Sequence, residues 1–136
     1  MDRRHTDREY ESELETLRES VLLMGARVEQ MMSLALRAFA QKDVALAEST
    51  IHADRAIDQL ELSIDELCLR ILARRQPVAS DLRFVTTTLK LVTDLERIAD
   101  LCVNVCERVV ELSSELAGVS IEPITRMAAT AQGMVH

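Results

Sequence analysis

The stretch that decides the fold is VALAESTIHADRAIDQLELSIDELCLRILAR, residues 44–74. Side chains suited to a core recur through it at alternating steps of three and four, which is the repeat of one face of an α-helix. This seam consists of Leu46, Thr50, Ala53, Ile57, Leu60, Ile64, Leu67 and Ile71. A helix of about thirty residues is ~45 Å long and cannot bury such a seam by itself, so the pattern predicts packing against other helices.

Two neighbouring stretches carry the same periodicity and predict two more long helices. The first is expected from about Asp7 to Ala40, and the third from the segment 77–81 to about Leu116. Their predicted inward-facing residues are Leu14, Leu17, Val21, Met24, Val28, Met31, Ala35 and Ala38, then Val85, Leu89, Val92, Ala99, Val103, Cys106 and Val110. Short connections force consecutive helices to run antiparallel. The sequence therefore predicts an all-α fold, an elongated antiparallel three-helix bundle, with the start of a fourth helix after Gly118.

The predicted helix ends are marked by a few residues. Asp43 is expected to cap the second helix, because its carboxylate can accept hydrogen bonds from the free N–H groups of the first turn. Pro77 cannot continue that helix and should end it. Ser80 and Asp81 are expected to satisfy the free N–H groups at the start of the third helix. The connections between the helices should therefore be short.

Composition and charge exclude several classes of protein. Sixteen Lys and Arg residues against 23 Asp and Glu residues give a net charge of −7, which disfavours nucleic acid and acidic membrane headgroups as direct partners. Three glycines and two prolines are too few for a β protein with many tight turns. No apolar run approaches the ~20 residues of a membrane-spanning helix, and the charged start lacks the apolar segment of a secretory signal. We therefore expect a cytoplasmic protein.

The cysteines and histidines give no sign of catalysis. Cys68, Cys102 and Cys106 lie inside apolar helical stretches, so free, buried thiols are expected. Cys102 and Cys106 are four residues apart, but no nearby side chain completes a soft-metal site with them. His5 and His52 are isolated and have no catalytic partner in the pattern. Core packing and ordinary surface positions explain these residues.

Two acidic pairs at four-residue spacing, one on the second helix and one on the third, are the candidate site. They are Asp54, Asp58, Glu96 and Asp100. Glu61 and Asp65 continue the second-helix row as weaker candidates. If the two helices pack antiparallel, the pairs converge at one edge of the seam, where carboxylates suit Mg²⁺, Mn²⁺, Ca²⁺ or iron. Such pairs are also common on solvated helix surfaces, where Arg55 or Arg97 would offset them, so both interpretations stay open at this point.

Arginines bracket the turn that Pro77 makes. Arg74, Arg75 and Arg83 could contact an acidic partner or a phosphate group, or simply favour the carboxyl end of the second helix. No Gly-rich phosphate loop, nucleophile elbow or Ser/His/Asp set is present, so nothing in the pattern indicates an enzyme.

The third helix carries a family resemblance. Residues 75–109, RQPVASDLRFVTTTLKLVTDLERIADLCVNVCERV, closely resemble the signature region of the PhoU family. The Glu-x-x-x-Asp element of that family matches residues 96–100, and residues 76–83 and Asn104 match as well. Residues 43–65, DVALAESTIHADRAIDQLELSID, are similar to the family's second helix, with Asp54 and Asp58 as its acidic pair.

This resemblance implies both an architecture and a role. PhoU-like proteins consist of two tandem three-helix repeats, so residues 1–118 would be one repeat and residues 119–136 a linker and the truncated beginning of a second. Each repeat can hold a metal cluster, here on Asp54, Asp58, Glu96 and Asp100, with iron, manganese, magnesium or zinc as the ion.

The implied role is that of a non-enzymatic regulator of phosphate uptake and a negative regulator of phosphate-starvation genes. It would link the ATPase subunit of the phosphate ABC transporter to a sensor histidine kinase and approach the membrane only through these partners. We also expect a homodimer. The alternatives are a structural helical scaffold without metal and a carboxylate-bridged metalloenzyme, although the Glu-x-x-His pairs of ferritin-like sites are missing from the second and third helices.

Overall fold

The computed structural model describes residues 3–113 and 122–135 of the chain. Four α-helices follow one another: α1 (Arg3–Gln41), α2 (Val44–Arg75), α3 (Ala79–Leu112) and α4 (Glu122–Val135). The helices α1, α2 and α3 all pack against one another, and α4 packs on α1. This confirms the predicted all-helical bundle with the start of a fourth helix. Within the described ranges, no helix is long and apolar enough to cross a membrane.

The core lies along the seam that the three long helices share. The predicted stripes of α1 and α3 are all buried or half-buried. On α2 one seam position is wrong, because Ala53 is exposed and the half-buried side chain at that level is Asp54. The seam thus shifts by one residue at Asp54, which places a carboxylate at the edge of the apolar core.

The turn between α1 and α2 confirms the predicted cap. Lys42 takes a left-handed conformation with φ 55°, which reverses the chain within two residues. Asp43 Oδ1 then accepts a hydrogen bond from the backbone N–H of Leu46 at 3.0 Å. The side chain satisfies one of the free donors of the first turn, as expected of an N-cap aspartate.

The start of α3 differs from the prediction. Val78 occupies the N-cap position, and its side chain makes no capping hydrogen bond. Asp81 Oδ2 instead accepts a hydrogen bond of 2.8 Å from the Tyr10 hydroxyl of α1. The expected capping by Ser80 and Asp81 is therefore wrong. The Asp81 carboxylate links α3 to α1 instead of accepting a hydrogen bond from a free N–H group at the start of α3.

The predicted end of the third helix cannot be compared with the structure, whereas the fourth helix can. The residues that were expected to end the third helix, Leu116 and Gly118, lie outside the described part of the chain, as does the predicted boundary at 118/119. The amide of Gln132 on α4 donates a hydrogen bond to the Ser33 hydroxyl of α1. The fourth helix is thereby held against the first.

Candidate metal centre

The antiparallel pairing of α2 and α3 brings the acidic residues of the two helices to one edge of the bundle. On α2 the acids recur at steps of four, three and four, so they form one row along the helix. The half-buried members of the cluster are Asp54, Glu61, Asp65 and Glu96, and the exposed ones are Asp58 and Asp100. The row lies next to the core, which removes water from part of each half-buried carboxylate.

Asp54 lies at the centre of the predicted site. Burial raises its pKa first, and the negative charges of Asp58, Asp100 and Glu96 raise it further. The Oδ1 atom of Asp54 is buried and has no hydrogen-bond partner among the described residues. A buried oxygen without a partner is costly, since it has lost water without gaining a donor. The other three predicted ligands therefore all act on the charge of this one carboxylate.

Glu61 and Glu96 form a second contact across the same edge. Burial raises the pKa of Glu61 to about 7, and a hydrogen bond to the Glu96 carboxyl together with the charges of Glu96, Asp65 and Asp58 adds to the shift. Burial also raises the pKa of Asp65, with Glu96 as the second cause. Two carboxyls that share a hydrogen bond must share a proton, so Glu61 takes up a proton as the pH falls through about 7.

The structure brings together the predicted residues and gives Glu61 a larger part than the sequence did. Glu61 is seven residues after Asp54, two turns along the same face, and that spacing was the available signal. No three carboxylate, thiol or imidazole groups in the described ranges are arranged to hold one ion in this structure. The carboxylates interact electrostatically without converging on a single point. The assignment of these residues as metal ligands stays a prediction.

For the three half-buried carboxyls of α2, no basic residue is among the resolved causes of the pKa shift. Arg97 pairs with Asp94 of its own helix at 3.9 Å. For Asp54, Glu61 and Asp65, every resolved influence on the pKa raises it, so negative charge and burial act together. A hard cation is the kind of ligand that would answer such a set of oxygens.

The other candidate residues lie away from this edge or have structural roles. All three cysteines are free and buried, as predicted. Arg75 forms ion pairs with Glu13 at 2.5 Å and Glu9 at 3.5 Å, so it ties the end of α2 to α1. Arg74 and Arg83 remain exposed. His52 is exposed too, while the side chain of His5 lies outside the described set.

Comparison with known proteins identifies similar chains. The family model described as the PhoU domain matches residues 21–109. The phosphate-specific transport system accessory protein PhoU of Escherichia coli (strain K12) is 40% identical over 112 residues, which cover 82% of this chain and 46% of the relative. The PhoU homolog of Pseudomonas aeruginosa is 43% identical over 111 residues, covering 82% of this chain and 46% of that protein.

A solved structure of a similar protein has the same fold as this chain. The crystal structure of PhoU from Pseudomonas aeruginosa matches with a TM-score of 0.87 and 40% identity, covering 93% of this chain and 61% of the solved one. The chain spans about half the length of the curated relatives that it matches.

Proposed function

Because the chain belongs to the PhoU domain family, we propose that it is a non-enzymatic, cytoplasmic regulator of phosphate uptake. The observation that carries the proposal is the family match over residues 21–109, a range that includes all six acidic residues of the candidate centre. In this proposal the chain connects the ATPase subunit of a phosphate ABC transporter with a sensor histidine kinase, acts as a homodimer, and represses the phosphate-starvation response when phosphate is plentiful.

We further propose that Asp54, Asp58, Glu96 and Asp100 hold iron, manganese, magnesium or zinc. The unpartnered Asp54 Oδ1 and the raised pKa of that carboxyl support the fit, since this oxygen is buried without a donor and lies among other negative charges. A bound cation would supply positive charge that offsets the repulsion along this edge. The protein's own contribution is to hold carboxylates of both α2 and α3 along one edge, where Asp58, Glu96 and Asp100 all act on Asp54.

The turn at Pro77, with the arginines on either side of it, is the proposed contact region for protein partners. Arg75 is engaged by Glu13 and Glu9, which leaves Arg74 and Arg83 of the predicted arginine cluster. Their guanidinium groups are exposed on either side of the Pro77 turn and suit an acidic protein surface.

The regulatory role is tested in a bacterial strain that lacks its own PhoU protein and carries a phosphate-starvation reporter. Expression of this chain should lower the reporter signal in phosphate-rich medium. The double substitution Arg74→Glu and Arg83→Glu should weaken the repression. Arg37→Glu should leave the repression unchanged, because Arg37 is an exposed arginine on a different helix, α1. A reporter that does not respond to a stably expressed chain would contradict the proposed role.

The metal site is tested by titrating the purified chain with Mn²⁺, Fe²⁺, Mg²⁺ and Zn²⁺ and measuring the heat of binding. At least one ion should bind, and Asp58→Asn or Asp100→Asn should lose that binding. Glu48→Gln is the matched control, because Glu48 is an exposed acid on α2, the helix that carries Asp58. If chelators leave both the melting temperature and partner binding unchanged, the helical scaffold without metal is the better description.

A further inference from the structure

The side of α2 that carries the acidic row also carries leucines that water reaches. Residues at successive steps of four, three, four and three share this side of the helix: Asp58, Leu62, Asp65, Leu69 and Leu72. Leu62 and Leu69 are 60% and 61% exposed, and Leu72 is half-buried. The acidic row of α2 therefore continues as an apolar row toward the Pro77 turn.

The neighbouring side of α3 has the same arrangement. Its row also advances at steps of four and three, through Leu82, Thr86, Leu89, Thr93, Glu96 and Asp100. Leu82 is 42% exposed and Leu89 is half-buried. The hydroxyls of Thr86 and Thr93 donate hydrogen bonds to the backbone carbonyls of Leu82 and Leu89, each at 3.0 Å, so both hydroxyls are already satisfied. The part of this row nearest the Pro77 turn is therefore apolar in character.

The contact between the two helices places these rows side by side. Glu61 of α2 and Glu96 of α3 share a hydrogen bond, which fixes the register of the antiparallel pair. From there toward Pro77, Leu69 and Leu89 lie at about the same level, because each is about two turns from its glutamate. Together the two rows form one surface, the leucine–acid face, with leucines in the half beside the Pro77 turn and acids in the other half.

No other helix in the described part of the chain covers the leucine–acid face. The first helix, α1, shares the core with α2 and α3, and α4 contacts α1 alone. The two rows contain no Lys or Arg, and their carboxyl groups are those of Asp54, Asp58, Glu61, Asp65, Glu96 and Asp100. Single exposed leucines are ordinary, but a contiguous apolar patch is typical of a protein-binding surface. The face is complementary to a partner that is apolar in one half and basic in the other.

We propose that the leucine–acid face binds an amphipathic helix of another protein. The partner's apolar residues would lie on the leucine half, and its Lys or Arg residues on the acidic half. Two packed helices leave a groove between them, and a third helix fits such a groove with side chains at steps of three and four. From Asp54 to Leu72 the α2 row is about 27 Å long, which matches a partner helix of about five turns.

This face differs from the arginines of the Pro77 turn in the partner that it suits. Arg74 and Arg83 suit an acidic protein surface, whereas the leucine–acid face suits a basic one. The net charge of −7 also disfavours an anionic membrane surface as the occupant. The two contact regions therefore require partners, or parts of one partner, of opposite charge.

The first test measures the binding of a fluorescent synthetic peptide to the purified chain by anisotropy, with a chelator present so that no metal ion neutralises the acids. The peptide is a helix of about 20 residues with leucines on one face of its first half and lysines on the same face of its second half. It should bind, and the same peptide with glutamates in place of the lysines should bind at least roughly ten-fold more weakly. Raising the NaCl concentration from ~50 to ~500 mM should also weaken binding of the lysine peptide, since salt screens exposed charges.

The second test compares leucines of this face with leucines elsewhere on the bundle. The double substitution Leu62→Ser and Leu69→Ser should weaken binding of the lysine peptide by roughly ten-fold or more, because two apolar contacts are lost. The matched control is Leu91→Ser with Leu101→Ser, since these leucines are 44% and 63% exposed on α3 but line an apolar groove between α1, α3 and α4. The control should bind as tightly as the unaltered chain. Helix content measured by circular dichroism should be unchanged in both double variants.

A nitroxide label on the peptide tests its direction on the face. With the label at the leucine end, the amide NMR signals of Leu72 and Leu82 should broaden more than those of Asp58 and Asp100. A label at the lysine end should reverse this order. Broadening that does not depend on which end carries the label would overturn the proposed arrangement.

Several other results would overturn the proposal. Loss of peptide binding in the Leu91→Ser, Leu101→Ser variant alone would move the site to the apolar groove, and equal binding of the lysine and glutamate peptides would remove the role of the acids. A chain that binds phosphatidylcholine vesicles through Leu62 and Leu69 but binds no peptide would assign the face to lipid, and a chain that binds neither would leave it as ordinary surface. None of these measurements depends on the phosphate-signalling role or on the proposed metal site, which the reporter strain and the metal titration test separately.

Discussion

Tyr10 is the single tyrosine of a chain without tryptophan, so its ionisation can be followed directly by absorbance. Burial raises the pKa of its hydroxyl to about 12, and the hydrogen bond to Asp81 and the charge of that carboxylate add to the shift. An unperturbed phenol titrates at pH ~10. Because the folded pKa is the higher one, the stability from this contact is complete below pH ~10 and is lost as the pH rises through about 12.

We therefore expect tyrosinate absorbance near 295 nm to rise at about pH 12 in the folded chain and at pH ~10 in denaturant. Asp81→Asn should lower the folded pKa only in part, since burial is the first cause. Circular dichroism on the same samples shows whether the helices persist. A native midpoint equal to that in denaturant would mean that the beginning of α1 does not pack on α3.

Asp54 should oppose folding when metal is removed. In the presence of a chelator, Asp54→Asn is expected to raise the free energy of unfolding by roughly 0.5 kcal/mol, the size of a like-charge repulsion across one helical turn. The same change should abolish any stabilisation by added Mn²⁺ or Fe²⁺, measured by urea denaturation. Glu48→Gln on the exposed face should change neither quantity. Metal stabilisation that survives in Asp54→Asn would remove this residue from the ligand set.

At the scale of one helix, the Asp43 cap determines how α2 begins. Asp43→Ala is expected to lower the free energy of unfolding by about 1 kcal/mol, because the Leu46 N–H loses its acceptor. Asp43→Ser should keep most of the stability, since a hydroxyl oxygen can accept the same hydrogen bond. Urea denaturation of the three proteins measures both differences. Equal stability of the alanine and wild-type chains would show that the cap contributes nothing.

How far the sequence predicts the helices is clear from their ends. Asp43 and Pro77 act within a few residues, so the start and the end of α2 follow from local chemistry. Asp81 was predicted to act locally as well, but its partner is 71 positions away on Tyr10. The periodicity of a single sequence does not show which residues so far apart in the chain come into contact. The wrong prediction that Ala53 is part of the seam has the same cause, because packing against the neighbouring helices sets the exact rotation of α2 about its axis.

The candidate centre was predictable in its members but not in its detail. Four-residue spacing placed Asp54 beside Asp58 and Glu96 beside Asp100, and the antiparallel order of the helices brought the pairs to one edge. The hydrogen bond between Glu61 and Glu96 depends on the offset between α2 and α3, which periodicity leaves undetermined. Arg75 is a similar case, since only the packing of α1 shows that its guanidinium is already bound.

On the scale of the whole molecule, the three thiols are distributed so that they report on opening of the bundle. Cys68 and Cys106 are fully buried on α2 and α3, while Cys102 is 7% exposed and lines an apolar groove between α1, α3 and α4. Burial raises the pKa of each thiol to about 11. At pH 8 only about 0.1% of a thiol with such a pKa is ionised, so reaction in the folded state is slow even where a reagent fits.

We accordingly expect two kinetic phases when the folded chain is treated with a thiol reagent such as DTNB at pH 8. Cys102 should react first, through local movement at the groove, and Cys102→Ser should remove that phase alone. Cys68 and Cys106 should react together at a rate that follows global unfolding, because both lie in the one core that the three long helices share. Stabilising the bundle with a bound metal ion should slow the second phase more than the first. If Cys68 instead reacts much faster than Cys106, α2 separates from the bundle before α3, and the core does not open as one unit.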